Sequence, residues 1–298
     1  MDFLNFIQNR NVVLLDGAIG TELDKRGLMG RGRVNLDAPD AVLEIQQDYA
    51  RSGAHAITAN TLTMNRIYIE THNVGVSVKD VNRAGVEIAR KAVGEDGFVL
   101  GNVSSTGQLL EPYGDYTEPA FCDTFTEQAR ILADAGADAL LIETMIDLSE
   151  ALCALRACKE ATDLPVLVSM AFSTEQNAGR TVMGNSAADC AKQLQDAGAD
   201  VIGANCGSLD PQQTATVISL LASATSLPLL AQPNAGKPRL VDDRTLFDMG
   251  PEPFAEGIAA CLDAGAKIVG GCCGTTPDHI RAVRRLLDRR AAFQTPPG

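Results

Sequence analysis

Three of the eight cysteines in this 298-residue sequence stand where sulfur could do chemistry. Cys206 closes the apolar run ADVIGANC (199–206), and Cys272 and Cys273 together close KIVGGCC (267–273). A disulfide between adjacent cysteines is strained, and a redox pair would have the two-residue spacer of a CxxC motif, which is absent here. Soft sulfur ligands suit Zn²⁺, which takes four tetrahedral partners with Zn–S near 2.3 Å; three protein ligands leave a fourth position open for reaction. Gly270, Gly271 and Gly274 would let the backbone turn so that neighbouring side chains address one ion. The competing reading is that Cys272 and Cys273 are small residues at a tight turn and Cys206 is unrelated to them. Cys122, Cys153, Cys158, Cys190 and Cys261 lie in apolar or helix-like surroundings and read as core. A tris-thiolate zinc is a poor activator of water, but it can keep a substrate thiol ionised near neutral pH, where a free thiol of pKa about 8.5 is mostly protonated. That chemistry is alkyl transfer onto sulfur.

Polar groups gather at the ends of other apolar runs. LLDGAIGTEL places Asp16, Gly17, Ala18, Gly20 and Thr21 after the first run, where exposed backbone N–H groups could receive a carboxylate; a plain strand-to-helix turn is the alternative. Glu143 ends ADALLIET (137–144) and is costly to bury alone, so it meets either a substrate cation or a local arginine. Asn60, Asn102, Asn205 and Asn234 fall near further run ends, as expected of a polar pocket. His55, His72 and His279 lack ligand spacing; Thr276, Pro277 and Asp278 read as the cap and first turn of a helix that contains His279.

The elements that must position these residues repeat along the whole chain. Apolar runs at 12–16, 55–60, 98–103, 137–144, 165–172, 199–206, 228–234 and 267–273 read as eight parallel strands covered on both faces, with segments of helical period between them. SGAHA (52–56), AGADA (135–139), AGADV (197–201) and AGAKI (264–268) each close a helix with glycine and open an even-numbered strand. This twofold periodicity over eight units is that of a single-domain (β/α)8 barrel spanning 1–298, with an open doubly wound sheet as the alternative; the tail from about 291 reads as frayed. The long connection at 107–121 would then lie beside the active face.

Composition narrows the partners. A formal net charge of -13 argues against nucleic acid and anionic membranes, and the local cluster Arg281, Arg284, Arg285, Arg289 and Arg290 reads as a solvated helix face, with an acidic partner protein as the minority reading. With no stretch long and apolar enough to span a bilayer and no secretory pattern in MDFLNFIQNR, the expected location is the cytoplasm.

Taken together, DGAIGTEL, ITANT, GNVSSTG, LIET, GANC, QPNAG and GGCCGTTPDHI resemble the homocysteine S-methyltransferase family from about residue 12 to residue 290, and within it the homocysteine-binding barrel of cobalamin-dependent methionine synthases. The resemblance implies a (β/α)8 (TIM) barrel, zinc on Cys206, Cys272 and Cys273, and homocysteine sulfur as incoming fourth ligand. It further implies that Asp16, Gly17 and Ala18 hold the amino acid end, that Glu143 receives the ammonium group, and that Asn234 supplies an oxygen ligand when substrate is absent. Asp16 and Glu143 are thus the expected catalytic pair. The implied activity is methyl transfer to homocysteine, giving methionine, with a separate methyl-corrinoid protein or S-methylmethionine as donor. Ala59 and Leu62 stand where this family usually has Thr and Phe, and GNVSSTG lacks a proline often found there. A corrinoid-linked demethylase acting on another substrate and a non-catalytic zinc or thiol sensor are the alternatives.

Overall fold

The computed structural model describes residues 2–177, 179–241 and 244–294. Each apolar run yields one strand: β1 (Val13–Leu14), β2 (Ala56–Thr58), β3 (Phe98–Val103), β4 (Ala139–Met145), β5 (Val166–Met170), β6 (Val201–Asn205), β7 (Leu229–Gln232) and β8 (Ala266–Val269). They pair in parallel in the order β1, β8, β7, β6, β5, β4, β3, β2. A parallel bridge from Leu15 to Ala56 joins β1 to β2, so the sheet is a closed (β/α)8 barrel and not an open doubly wound one.

One helix packs outside after each strand: α1 (Pro39–Arg51), α2 (Val78–Val93), α3 (Glu118–Asp134), α4 (Leu148–Ala161), α5 (Ala187–Asp196), α6 (Pro211–Ala222), α7 (Pro251–Asp263) and α8 (Pro277–Gln294). Short polar residues start them: Ser77, Thr117 and Ser186 accept the N–H of Asp80, Ala120 and Asp189, and Asp210 forms a capping box with Gln213. Gly53, Gly136, Gly198 and Gly265 of the four repeats all have left-handed φ, between 91° and 108°, as a helix-ending glycine should. α8 continues to Gln294, past the point where fraying was expected, because Leu287 is buried and Arg290 pairs with Asp263 of α7; residues 295–298 lie outside the described residues.

Inside the barrel, side chains step up each strand at every second residue. The lower level is apolar, with Leu100, Leu141, Leu167, Val201, Leu230 and Ile268 in one cluster. Two residues further on, Leu100 gives way to Asn102, Leu141 to Glu143 and Leu230 to Gln232. The lumen therefore changes from apolar to polar toward the C-terminal ends of the strands. Its other end is closed by a feature that sequence reading gave no structural role, the helix Phe3–Asn9. Phe3 and Ile7 are buried in the same cluster as the inward strand residues, and Phe3 and Phe6 pack on Phe98 at 5.1 and 4.8 Å between ring centroids.

Removing this plug opens a cavity under the barrel. Phe3→Ala is expected to cost about 3 to 5 kcal/mol in urea unfolding; a loss below about 1 kcal/mol would show that the helix merely rests on the surface.

Candidate active site

A cavity of about 690 Å³ opens at the polar end, lined by Asp16, Gly17, Ala18, Glu143 and all three singled-out cysteines. The sulfurs of Cys206, Cys272 and Cys273 lie within 4.8 Å of one another, and Cys206 Sγ is 3.8 Å from Cys273 Sγ. A tetrahedron with metal–sulfur bonds of about 2.3 Å has edges of about 3.8 Å, so the spacing fits a metal and is far outside a disulfide at about 2.05 Å.

The cysteines stand in the turns just beyond their strands, where alternation of side chains no longer applies. Cys206 itself adopts left-handed φ (52°), uncommon for a residue with a side chain, and its N–H reaches Gln232 O at 3.3 Å. Cys272 N–H donates to Pro233 O (2.9 Å) and Ala235 N–H to Cys273 O (2.9 Å), so the two cysteines run beside the end of β7. Of the three glycines expected to supply the turn, only Gly274 has positive φ (80°). Gly271 serves close approach instead: its N–H donates to Asp16 O at 2.9 Å, and a Cβ there would lie 2.6 Å from Thr275. Hydrogen bonds from Cys206 and Cys272 pull the Cys273 thiol well below the usual thiol range. Asn234 sits between Pro233 and Ala235; its Nδ2 donates to Gly207 O (3.0 Å), while its Oδ1 is buried without a hydrogen-bond partner.

Glu143 is 9% exposed and has only neutral partners: Asn102 Nδ2 donates to Oε1 (2.7 Å) and Asn205 Nδ2 to Oε2 (3.2 Å). No Lys or Arg among the described residues pairs with it, which removes the local-arginine alternative. Burial pushes its carboxyl up to about 7 against the hydrogen bond from Asn102, and the Cys206 thiol adds to the rise. Asp16 is also raised to about 7, by burial first; Thr58 opposes the rise by donating its N–H and hydroxyl to the two oxygens (both 2.8 Å), and Glu143 adds to it. Ala18 N–H is already taken by Thr275 Oγ1 (3.0 Å), whereas Gly17 N–H makes no hydrogen bond among the described residues.

Several bracing residues escaped sequence reading. Tyr49 OH lies between Ala18 O (2.9 Å) and Thr275 O (3.1 Å), beneath Gly17, where any Cβ would meet its ring at 2.8 Å. Thr144 takes φ of 61° at an irregularity in β4, held by its N–H to Asn205 Oδ1 (2.9 Å) and by Asn205 Nδ2 to its Oγ1 (2.8 Å). Buried Glu150 fixes the start of the long loop, accepting from Ser105 Oγ, Thr106 N–H and Thr106 Oγ1 at 2.7 to 2.8 Å. Only the need of buried Asp16 for a partner could have pointed to Thr58. His279, by contrast, is structural as expected, with Nε2 on Met249 O (2.8 Å) and Nδ1 on Thr276 (2.9 Å). Among the described residues no helix is long and apolar enough to cross a membrane.

Comparison with known proteins places this site in context. A family described as Homocysteine S-methyltransferase matches residues 13–287. The methionine synthases of Mycobacterium tuberculosis and Mycobacterium leprae are 31% and 30% identical over 95% and 97% of the chain, which spans about a quarter (25%) of their length. Among solved structures, the metallated form of the homocysteine methyltransferase MmuM from Escherichia coli is 25% identical, with a TM-score of 0.76 over 95% of this chain and 98% of that one. The carboxyl transferase domain of Rhizobium etli pyruvate carboxylase, 14% identical with a TM-score of 0.56 over 99% of this chain and 51% of that one, shares the fold.

The raised carboxyl groups set a pH dependence. Folded Glu143 ionises near 7 but the unfolded chain near 4.5, so the uncharged form favours the fold and that stabilisation is lost as pH rises through this interval. In metal-free protein, the stability of Glu143→Gln relative to wild type should therefore increase between pH 5 and pH 8, by on the order of 2 kcal/mol; urea unfolding at several pH values checks this, and a pH-independent difference would refute it.

Proposed function

The chain belongs to the homocysteine S-methyltransferase family, and from that premise we propose that it transfers a methyl group to the thiol of homocysteine to give methionine, with Zn²⁺ held by Cys206, Cys272 and Cys273. The observation that carries this reading is the pairing of three sulfurs at tetrahedral spacing with Glu143, a buried carboxylate without a cation, in one cavity. Zinc on that sulfur set would supply a fourth position at which a substrate thiol stays ionised near neutral pH. The buried, unpartnered Asn234 Oδ1 is the proposed oxygen ligand in the absence of substrate.

The remaining work falls to the chain's own residues. Glu143 takes the substrate ammonium, and Asp16, which repels Glu143 through the cavity, gains from the same cation. Gly17 N–H takes the carboxylate, while Ala18 contributes wall, because its N–H is spent on Thr275. Holding both ends of the amino acid fixes the thiol's direction, so that sulfur attacks the methyl carbon in line as the bond to the leaving group breaks. Such alignment is worth up to about 7 to 11 kcal/mol.

For the donor we favour a methyl group carried on a separate corrinoid protein over S-methylmethionine. The exposed large apolar side chains Met29, Leu109, Tyr113, Val182, Leu240 and Leu246 all stand on connections that follow strands, around the mouth, as a protein partner would require. Ala59 and Leu62, two of the departures from the family's usual residues, line the same cavity. The eight cysteines, all free, suit the reducing cytoplasm as the setting.

Titrating homocysteine into zinc-loaded protein in two buffers of different ionisation heat should show binding with release of about one proton. Cys273→Ala should abolish it, and Glu143→Gln should weaken it at least tenfold without removing the metal. A folded, zinc-replete protein that fails to bind homocysteine would overturn the assignment. Methyl transfer from S-methylmethionine but not from a methyl-corrinoid carrier would reverse the choice of donor.

A further inference from the structure

At the closed end of the barrel, the repeats place equivalent residues where the even-numbered strands begin: His55, Asp138 and Asp200 just before β2, β4 and β6, and Lys267 as the second residue of β8. Two of these positions show the same arrangement. Asp138 accepts the N–H of Val99 (2.7 Å) and pairs with Arg90 of α2; Asp200 accepts the N–H of Val166 (2.8 Å) and pairs with Lys159 of α4 at 3.0 Å. His55 performs the first task, accepting Leu14 N–H on Nδ1 (2.9 Å), but brings no negative charge for the cation that faces it, Arg284 of α8.

The result is a surplus of donors. With Nδ1 accepting, the proton of the neutral ring is on Nε2, which lies 3.3 Å from Arg284 Nη1, and neither atom can accept from the other. Arg284 Nε is buried without a partner, although Nη2 reaches Asp288 at 2.6 Å. Its stem is held in place over Gly53, where a Cβ would stand 2.7 Å from Arg284 Cδ. At the fourth position the acid is replaced outright by a cation, and among the described residues Lys267 Nζ has only Gln8 O, at 3.4 Å. Arg10 lies over the Phe6 ring at 4.8 Å and has no carboxylate partner among the described residues. These groups border one cavity of about 850 Å³, whose wall also includes Val12, Leu262 and Leu287.

We propose that this cavity is a binding site for a small phosphate-bearing organic anion, seated between Arg10, His55, Lys267 and Arg284 at the end of the barrel opposite the sulfur cluster. The donors come from several directions, which suits the tetrahedral oxygens of phosphate better than a planar carboxylate. The apolar wall gives an organic body somewhere to rest. On a chain of net charge -13, Arg10 and Lys267 stand here without a carboxylate partner among the described residues. The proposal is independent of the methyltransfer reading, since the two sites lie at opposite ends.

The test is calorimetric titration of the zinc-loaded protein with AMP, adenosine and inorganic phosphate, repeated on Arg10→Gln/Lys267→Gln, whose residues are not part of the fold's core. AMP should bind saturably with an affinity that falls as salt rises, adenosine should not bind, and the double variant should lose at least tenfold while keeping the wild-type melting temperature and homocysteine binding. Inorganic phosphate distinguishes the ligand's sources: affinity equal to that of AMP means the phosphate group alone is held, and weaker affinity means the apolar wall contributes. No saturable binding of either phosphate compound, adenosine binding as well as AMP, or a double variant that binds like wild type would each overturn the proposal.

Discussion

Three sulfurs from two strands that do not touch each other must meet within the edge of a small tetrahedron. β6 and β8 are separated by β7, so at about 4.8 Å per strand their backbones are about 10 Å apart. Only inward convergence on a closed barrel, with the chain leaving each strand before the cysteine, brings the thiols to 3.8 Å. Much of the mouth follows from that demand. Cys206 takes a left-handed turn, the segment just after β7 lends the Pro233 carbonyl to Cys272 and the Ala235 N–H to Cys273, and Gly271 presses against Asp16. The first strand thereby becomes part of the same assembly as the last, and Asp16 is fixed relative to the sulfurs.

A second tension lies across the cavity. Two carboxyl groups are buried with amides, a hydroxyl and backbone N–H groups as their partners among the described residues, and both are pushed up toward neutrality. Neutral donors can orient a carboxylate but cannot cancel its charge, so the site is least strained when a cation enters it. Asn205 links this half to the other: it bonds the left-handed Thr144, donates toward Glu143, and lies 3.8 Å from Cys272 Sγ. The buried carboxyl of Glu143 and the sulfur cluster thus share one amide.

Much of the fold was legible because its signals are local and repeated. Eight uninterrupted apolar runs and four glycine-closed helices specify parallel strands wherever they occur, and the repeated glycines all have the expected left-handed backbone. The sulfur cluster was legible because adjacent cysteines after glycines have few structural uses. What escaped was set by contacts distant in sequence. Tyr49 beneath Gly17, Thr58 on Asp16 and Glu150 under the long loop are ordinary residues on helices and strands until the barrel closes. The Phe3–Asn9 helix escaped for a different reason: seven residues of mixed character carry no periodicity long enough to read, and its role depends on the lumen that it fills.

That plug also fixes the direction of traffic. With Phe3 and Ile7 sealing one end, the lumen formed by the described residues opens at the other. Anything that covers the doorway to deliver a methyl group bars both the arrival of the amino acid and the departure of its product. Under the proposed reaction with a protein-borne donor, the amino acid enters before the carrier docks and methionine leaves after it withdraws, so turnover is compulsorily ordered by the architecture rather than by relative affinities.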